Sequence, residues 1–228
     1  MKKSESVNAR LAEQVGKSSL FCSLPLDIVE RHILPFGQTI TFSKQEYIFT
    51  PSELADRLGI IISGTVHILN LFSDGNYSLM NALSAPKVVG ADLISTKSRQ
   101  PPYYAVCATP TTVAFFPSTL FLEQGDLPEA CRIEILNRLL TIVSQENMQK
   151  YYRIAILSQK GLRERVLTYL SMQAQRRNAN TFEIPFTREE LAAFLCVNRS
   201  ALSHELSLMK QGGLIDFHKN VFKLLSKG

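Results

Sequence analysis

Three changes of hydrophobic period predict an α+β chain: an N-terminal antiparallel β-roll of jelly-roll type, a long central dimerisation helix, and a C-terminal winged helix-turn-helix. From residue 36 to 117 apolar residues fall in short runs, each closed by Gly, Pro, Ser or Asn, the mark of a closed or sandwiched antiparallel sheet. Between Pro128 and Gly161 there is no Pro or Gly, and apolar residues recur at 4,3 spacing. From Thr187 onward two short helical patterns meet at a tight break and are followed by strand, turn and strand. The division this predicts is residues 1–125 for the roll, 126–160 for the helix and a hinge, and 161–228 for the winged domain.

Residues 1–20 are polar with a helical period through Leu11 and Val15, and Pro25 opens a helix over about 26–34. Strands are predicted at 38–42, 47–49, 58–62, 65–72, 77–83, 88–89, 103–108 and 112–116. A short helix with Ser118 as N-cap follows and is ended by Gly125. The long helix then runs for over 30 residues, or roughly 45–50 Å at 1.5 Å per residue. Leu136, Leu140, Val143, Asn147, Lys150, Ile154 and Leu157 form its 4,3 seam, suited to a second copy, although Asn147 and Lys150 also allow packing within one subunit. Ile135, Leu139 and Ile142 make a second stripe that can lie on the roll.

After a hinge at 158–161, residues 162–174 form an amphipathic helix with Leu162, Val166, Tyr169 and Leu170 inward, and 181–185 a short strand. Thr187 and Glu190 make a capping box, in which hydroxyl and carboxylate satisfy each other's backbone N–H. Leu191, Phe194 and Leu195 give that helix its apolar stripe before the break at Cys196-Val197. Asn198 caps a second helix with Leu202, Leu206 and Met209 inward. Its other face carries Arg199, Ser200, Ser203, His204, Ser207 and Lys210, small polar and basic groups of the kind that fit a DNA major groove. Gln211-Gly212-Gly213 closes the helix, and the runs 214–217 and 221–225 around His218-Lys219-Asn220 make the wing.

The stretch FTREELAAFLCVNRSALSHEL at 186–206, with Gly213-Leu214-Ile215, resembles the DNA-binding end of the Crp/Fnr family of bacterial transcription regulators. LGIIISGTV at 58–66 is similar to the strand–glycine–strand turn of that family's cyclic-nucleotide-binding-type roll, and Val88-Val89-Gly90-Ala91-Asp92 to the start of its effector cassette. The resemblance covers nearly the whole chain in the family's order. It implies a homodimer on a palindromic double-stranded operator, allosteric control by a small molecule in the roll, and RNA polymerase as a further partner. The DNA contacts it implies are Thr187, Arg188, Asn198, Arg199, Ser200, Ser203, His204, Ser207 and Lys219. For the effector it implies Gly90, Ala91, Asp92, Leu93, Arg99, Tyr103 and Tyr104.

At the cassette the sequence departs from relatives that bind cyclic AMP. These carry a Gly-Glu pair for the ribose and an Arg-Ser pair for the phosphate, whereas here Ala91 follows Gly90 and the second slot falls near Pro102-Tyr103. Cyclic AMP is therefore not the expected effector. Tyr103 and Tyr104 suit an aromatic or carboxylate ligand, and a pocket filled by its own side chains is the equal alternative. The iron–sulfur relatives need an N-terminal cysteine cluster, and with Cys22 alone there no such cluster is expected; no residue argues for a haem.

Charge and composition agree with this reading. Residues 161–228 carry 10 Lys and Arg against 6 Asp and Glu, and residues 1–160 carry 15 against 14, so nearly all of the net +5 sits beside the helix-turn-helix. No metalloprotease, hydrolase or phosphate-loop motif occurs, so an enzyme is not expected, and the scattered histidines and cysteines predict no metal site. The four cysteines are expected to be reduced core thiols. No apolar run spans a membrane, and the expected location is the cytoplasm. The competing reading is a ligand-binding or protein-interaction adaptor whose winged helix binds a protein instead of DNA.

Overall fold

The computed structural model describes residues 2–94, 96–123 and 127–225, with side chains from residue 9 onward. Gly125, expected to end a helix, lies outside the described residues. The chain divides into two compact units, Met1–Leu71 with Asn81–Asn147, and Phe72–Met80 with Met148–Gly228. The division falls inside the long helix and not at residues 158–161, and it takes a segment of the strand region into the second unit.

The first unit opens with α1 (Lys2–Gly16) and α2 (Leu26–Ile28), the latter continued by a π-turn at Val29–Ile33 and a 3-10 turn at Leu34–Phe36. Strands β1 (Gln38–Phe42), β2 (Tyr47–Phe49), β3 (Arg57–Ser63), β4 (Thr65–Leu71), β5 (Tyr77–Ser84), β6 (Val88–Val89), β7 (Tyr104–Cys107) and β8 (Thr111–Pro117) follow. They form two four-stranded sheets, β1-β8-β3-β6 and β2-β7-β4-β5, with the β1–β8, β3–β6, β3–β8, β2–β7 and β4–β7 pairs antiparallel. Side chains alternate faces along a strand, so the central pair β3 and β8 supplies two cores. Leu58, Ile60, Ala114 and Phe116 enter one cluster with the helices, while Ile61, Val113 and Phe115 enter the cluster inside the roll.

Helix α3 (Thr119–Leu122) starts after Ser118, whose side chain makes no capping bond; its carbonyl instead accepts from the N–H groups of Phe121 and Leu122. Helix α4 (Glu129–Leu157) has 29 residues, ending four residues before Gly161 and so shorter than the Pro/Gly-free stretch allows. Ile135, Leu139 and Ile142 on α4 are buried in the cluster with Val15, Phe21 and Phe121, as the second stripe predicts. Of the seam, Leu136, Leu140, Asn147, Lys150 and Ile154 are exposed on the protomer, whereas Val143 packs partly on that same cluster and Leu157 is half-buried. Ile133, one turn earlier on the same face, is also exposed and extends the seam.

In the second unit α5 (Leu162–Arg177) buries Val166, Tyr169, Leu170 and Ala174. Tyr169 packs against Phe186 and Phe194, with ring centroids 6.1 and 5.5 Å away. After β9 (Thr181–Glu183) come α6 (Arg188–Phe194), α7 (Arg199–Gln211), β10 (Ile215–His218) and β11 (Val221–Leu224), with the three strands ordered β10-β11-β9. Gly213, at φ 67°, is the left-handed residue that ends α7.

The cysteines depart from expectation. Cys107 is buried, but Cys22 and Cys196 are exposed, since one lies in the irregular segment before α2 and the other in the tight turn between α6 and α7. Among the described residues no helix is long and apolar enough to cross a membrane.

Candidate DNA interface and effector cassette

The helix-turn-helix is assembled by short-range polar bonds over a dry core. The Thr187 N–H donates to Glu190 Oε2 at 2.6 Å and the Glu190 N–H to Thr187 Oγ1 at 3.3 Å, which closes the predicted capping box of α6. Helix α6 gives way at Leu195, and Cys196 turns the chain with φ 57°. Asn198 then caps α7 by accepting the Ala201 N–H at 2.7 Å and the Ser200 hydroxyl at 2.8 Å. Its side-chain oxygen is thus spent on the helix, and that places Asn198 as a scaffold for the reading face.

Leu202, Leu206 and Met209 are completely buried, while Arg199, Ser200, Ser203, His204 and Ser207 are exposed on α7. Ser207 donates its hydroxyl back to the Ser203 carbonyl at 2.9 Å. Arg163 on α5 holds the inner flank of α7 through Glu205 at 2.6 Å. Lys210 joins Asp216 of β10 at 2.6 Å, and the Asp216 carboxyl is held below the usual range chiefly by that bond.

Arg188 has a different place from a free phosphate-gripping side chain. Its guanidinium donates to the Lys219 carbonyl at 3.1 Å and lies 5.0 Å over the Phe217 ring and 5.5 Å over that of Phe222. Burial first, and then the neighbouring charge of Arg199, pushes its pKa down. Arg188 therefore ties the wing turn to the start of α6, with Lys219 at φ 53° presenting its exposed side chain beside it. Between them is a cleft of about 370 Å³ lined by Thr187, Arg188, Lys219, Asn220 and Phe222. Arg177, the last residue of α5, and Asn220, in the wing turn, border an adjoining cleft of about 360 Å³, and neither position gave a sequence signal for it.

The effector residues are brought together only in part. Gly90 sits at φ 82°, and a side chain there would meet the Phe49 ring at 2.8 Å. Ala91 is 3% exposed and packs in the helix-side cluster, whereas Leu93 packs inside the roll with Phe49 and Phe115. The Tyr103 hydroxyl donates to Asp92 Oδ1 at 2.7 Å. Burial, followed by the carboxylates of Asp92 and Glu146, raises the Tyr103 pKa well above the usual phenol range. Tyr104 meets Tyr47 edge-on at 5.7 Å. Arg99 has an exposed side chain and contributes its carbonyl to the Ala55 N–H at 2.7 Å. A cyclic nucleotide needs an acceptor for its ribose and a cation for its phosphate. The cassette instead offers a buried methyl group at Ala91, the carboxylates of Asp92 and Glu146 near Tyr103, and an arginine whose side chain is exposed. Among the described residues no group of His, Cys, Asp or Glu is placed to hold a metal ion.

A ligand-sensing type of roll followed by a winged helix with a polar, basic reading face defines a DNA-binding transcription regulator, and comparison with known proteins agrees. Residues 164–226 match the Crp-like helix-turn-helix domain and residues 39–125 the cyclic nucleotide-binding domain. The chain is 25% identical over 179 residues to electron transport regulator A of Shewanella oneidensis, covering 76% of this chain and 69% of that protein. It is 25% identical over 189 residues to the transcriptional activator protein FnrL of Cereibacter sphaeroides, covering 78% and 69%. In fold it is similar to the c-di-GMP-responsive global regulator CLP of Xanthomonas campestris, with a TM-score of 0.69 at 17% identity over 89% of this chain and all of that one. FixK2 of Bradyrhizobium japonicum gives a TM-score of 0.63 at 19% identity, covering 84% and 93%. The chain belongs to the Crp/Fnr family of transcription regulators.

Proposed function

We propose that the protein acts in the cytoplasm as a homodimer whose two α7 helices read the half-sites of a palindromic operator, under the control of a small molecule bound in the roll. The observation that carries the DNA reading is α7 itself: three fully buried apolar residues on one face, and Arg199, Ser200, Ser203 and His204 exposed on the other. Such a helix can enter a major groove without disturbing its own core. Thr187, Lys219 and the cleft beside Arg188 supply the phosphate contacts that set the register. The exposed seam of α4, Ile133, Leu136, Leu140 and Ile154, supports the dimer. Residues 158–161, the non-helical step between α4 and α5, are the place where effector binding changes the spacing of the reading helices. FnrL is named a transcriptional activator, which supports RNA polymerase as the further partner.

A titration of DNA affinity against salt tests the reading. Wild-type affinity should fall steeply as counterions compete. Lys219→Ala should weaken operator and random DNA alike and reduce the salt slope by about 1 per subunit, or about 2 for the dimer; a protein adaptor would show no DNA affinity to lose. For the effector, calorimetry with cyclic AMP should give no specific heat, because Asp92 and Glu146 put negative charge beside Tyr103 where the ligand is itself an anion. Micromolar binding that disappears in Arg99→Ala would reverse this and restore Arg99 as a phosphate ligand.

A further inference from the structure

Arg153, near the C-terminal end of α4, has an unusual set of partners for a half-buried arginine. Its guanidinium donates to the Ser78 hydroxyl, to Met80 Sδ at 3.0 Å and to the Phe194 carbonyl at 3.3 Å. Cys196 Sγ lies 3.6 Å away, and the guanidinium stands 5.4 Å over the Phe194 ring. All of these groups belong to the second unit. None of these partners is a carboxylate, so the group is not held there as one half of an ion pair. Its two terminal nitrogens meet a hydroxyl, a thioether and a peptide carbonyl at once, while the buried Nε has no hydrogen-bond partner among the described residues.

The carbonyl is the informative partner. Helix α6 ends at Phe194, and the last carbonyls of a helix have no donor within it. Arg153 satisfies that of Phe194, and Arg165 satisfies that of Leu195 at 3.4 Å. Positive charge at this end is also favoured by the helix dipole. The next residues are the turn itself, Cys196 at φ 57° and then Val197, before Asn198 starts α7. Whatever fixes the end of α6 fixes the direction in which α7 departs.

We propose that Arg153 is a positioning residue for base readout: it anchors the end of α6 from which the reading helix leaves, and Ser78 holds the guanidinium in that pose. The proposal rests on α7 being the reading helix. Arg153 itself does not touch DNA in this account, so its loss changes specificity and not phosphate contact.

The test uses the full-length protein and an operator selected from random DNA. Arg153→Met, Ser78→Ala and the double variant are titrated on that operator and on random sequence across a range of salt. Operator affinity should fall about five- to tenfold in each single variant, with random-DNA affinity and salt slope unchanged. The double variant should be no weaker than Arg153→Met alone, because both changes break one linkage. Should Arg153→Met fail to fold, Ser78→Ala carries the same expectation with a smaller perturbation. Equal loss on operator and random DNA, multiplied losses in the double variant, or no loss on the operator in Ser78→Ala would each overturn it. An error in the α7 reading is seen separately, as wild-type protein that does not discriminate operator from random DNA.

Discussion

The variant carrying Leu136→Glu and Leu140→Glu will sediment as a monomer and lose its operator. Both leucines are exposed on the protomer, 38% and 66%, and neither belongs to the buried helix-side cluster. In a two-fold seam each substitution counts twice. At these exposures the four leucines of two protomers amount to about two fully buried side chains, so withdrawing them removes about 3–6 kcal/mol at 1.5–3 kcal/mol each. That is about half of the free energy of a dimer in the micromolar to nanomolar range, about 8–12 kcal/mol, and the desolvation and mutual repulsion of the new carboxylates add to it. The loss on DNA follows from geometry, since an operator with two half-sites is held by two linked helices. Unlinking them removes an effective-concentration advantage of about 10²–10⁴. Analytical ultracentrifugation and an operator titration read the two effects, and an unchanged thermal midpoint shows that the protomer still folds. A double variant that sediments as the wild-type dimer does would place the interface elsewhere than Ile133, Leu136, Leu140 and Ile154.

The helix-turn-helix and the exposed stripe of α4 were legible in the sequence because both depend on contacts three or four residues apart. The Thr187–Glu190 capping box, the Asn198 cap and the Leu202, Leu206, Met209 stripe are all local patterns of this kind, and each stands in the structure as spelled. The strands were readable for a related reason: β3 and β8 alternate between two cores, so their runs are apolar throughout and bounded by turns. What the sequence hid were pairings over long separations. Arg153 looks like any cation on the wet side of a helix, yet it joins groups 75 and 41 residues away. Arg188 reads as a phosphate contact from its place in the first turn of α6, but two aromatic rings of the wing and the Lys219 carbonyl claim much of it. The cassette was legible only as a departure, because a missing carboxylate at residue 91 does not say what replaces it. The Tyr103–Asp92 bond spans a loop whose closure no short-range pattern reports.

Replacing Arg199 or His204 with alanine should weaken operator binding by about 1–3 kcal/mol in each half-site, or about 2–6 kcal/mol for the dimer. Arg199 is the first residue of α7 and His204 lies on the same exposed face five residues on, at the end that meets base edges when such a helix docks. Neither side chain is used to build the fold: Leu202, Leu206 and Met209 carry the core, and Asn198 with Ser200 carries the cap. Their truncation therefore removes recognition without a stability penalty. Arg199 presents a bidentate fork and can span both acceptors of a guanine, while the His204 ring cannot aim two donors at one base edge, so the larger loss is expected at Arg199. Its proximity to Arg188 adds to this, because two neighbouring cations repel until an acceptor or a phosphate lies between them. Selection of bound sequences from random DNA with each variant should show the preference relaxed at one base position per half-site and retained at the others. Equal weakening on operator and random DNA for both variants would make these residues phosphate contacts and would move base readout to Ser200, Ser203 and the remainder of the α7 face.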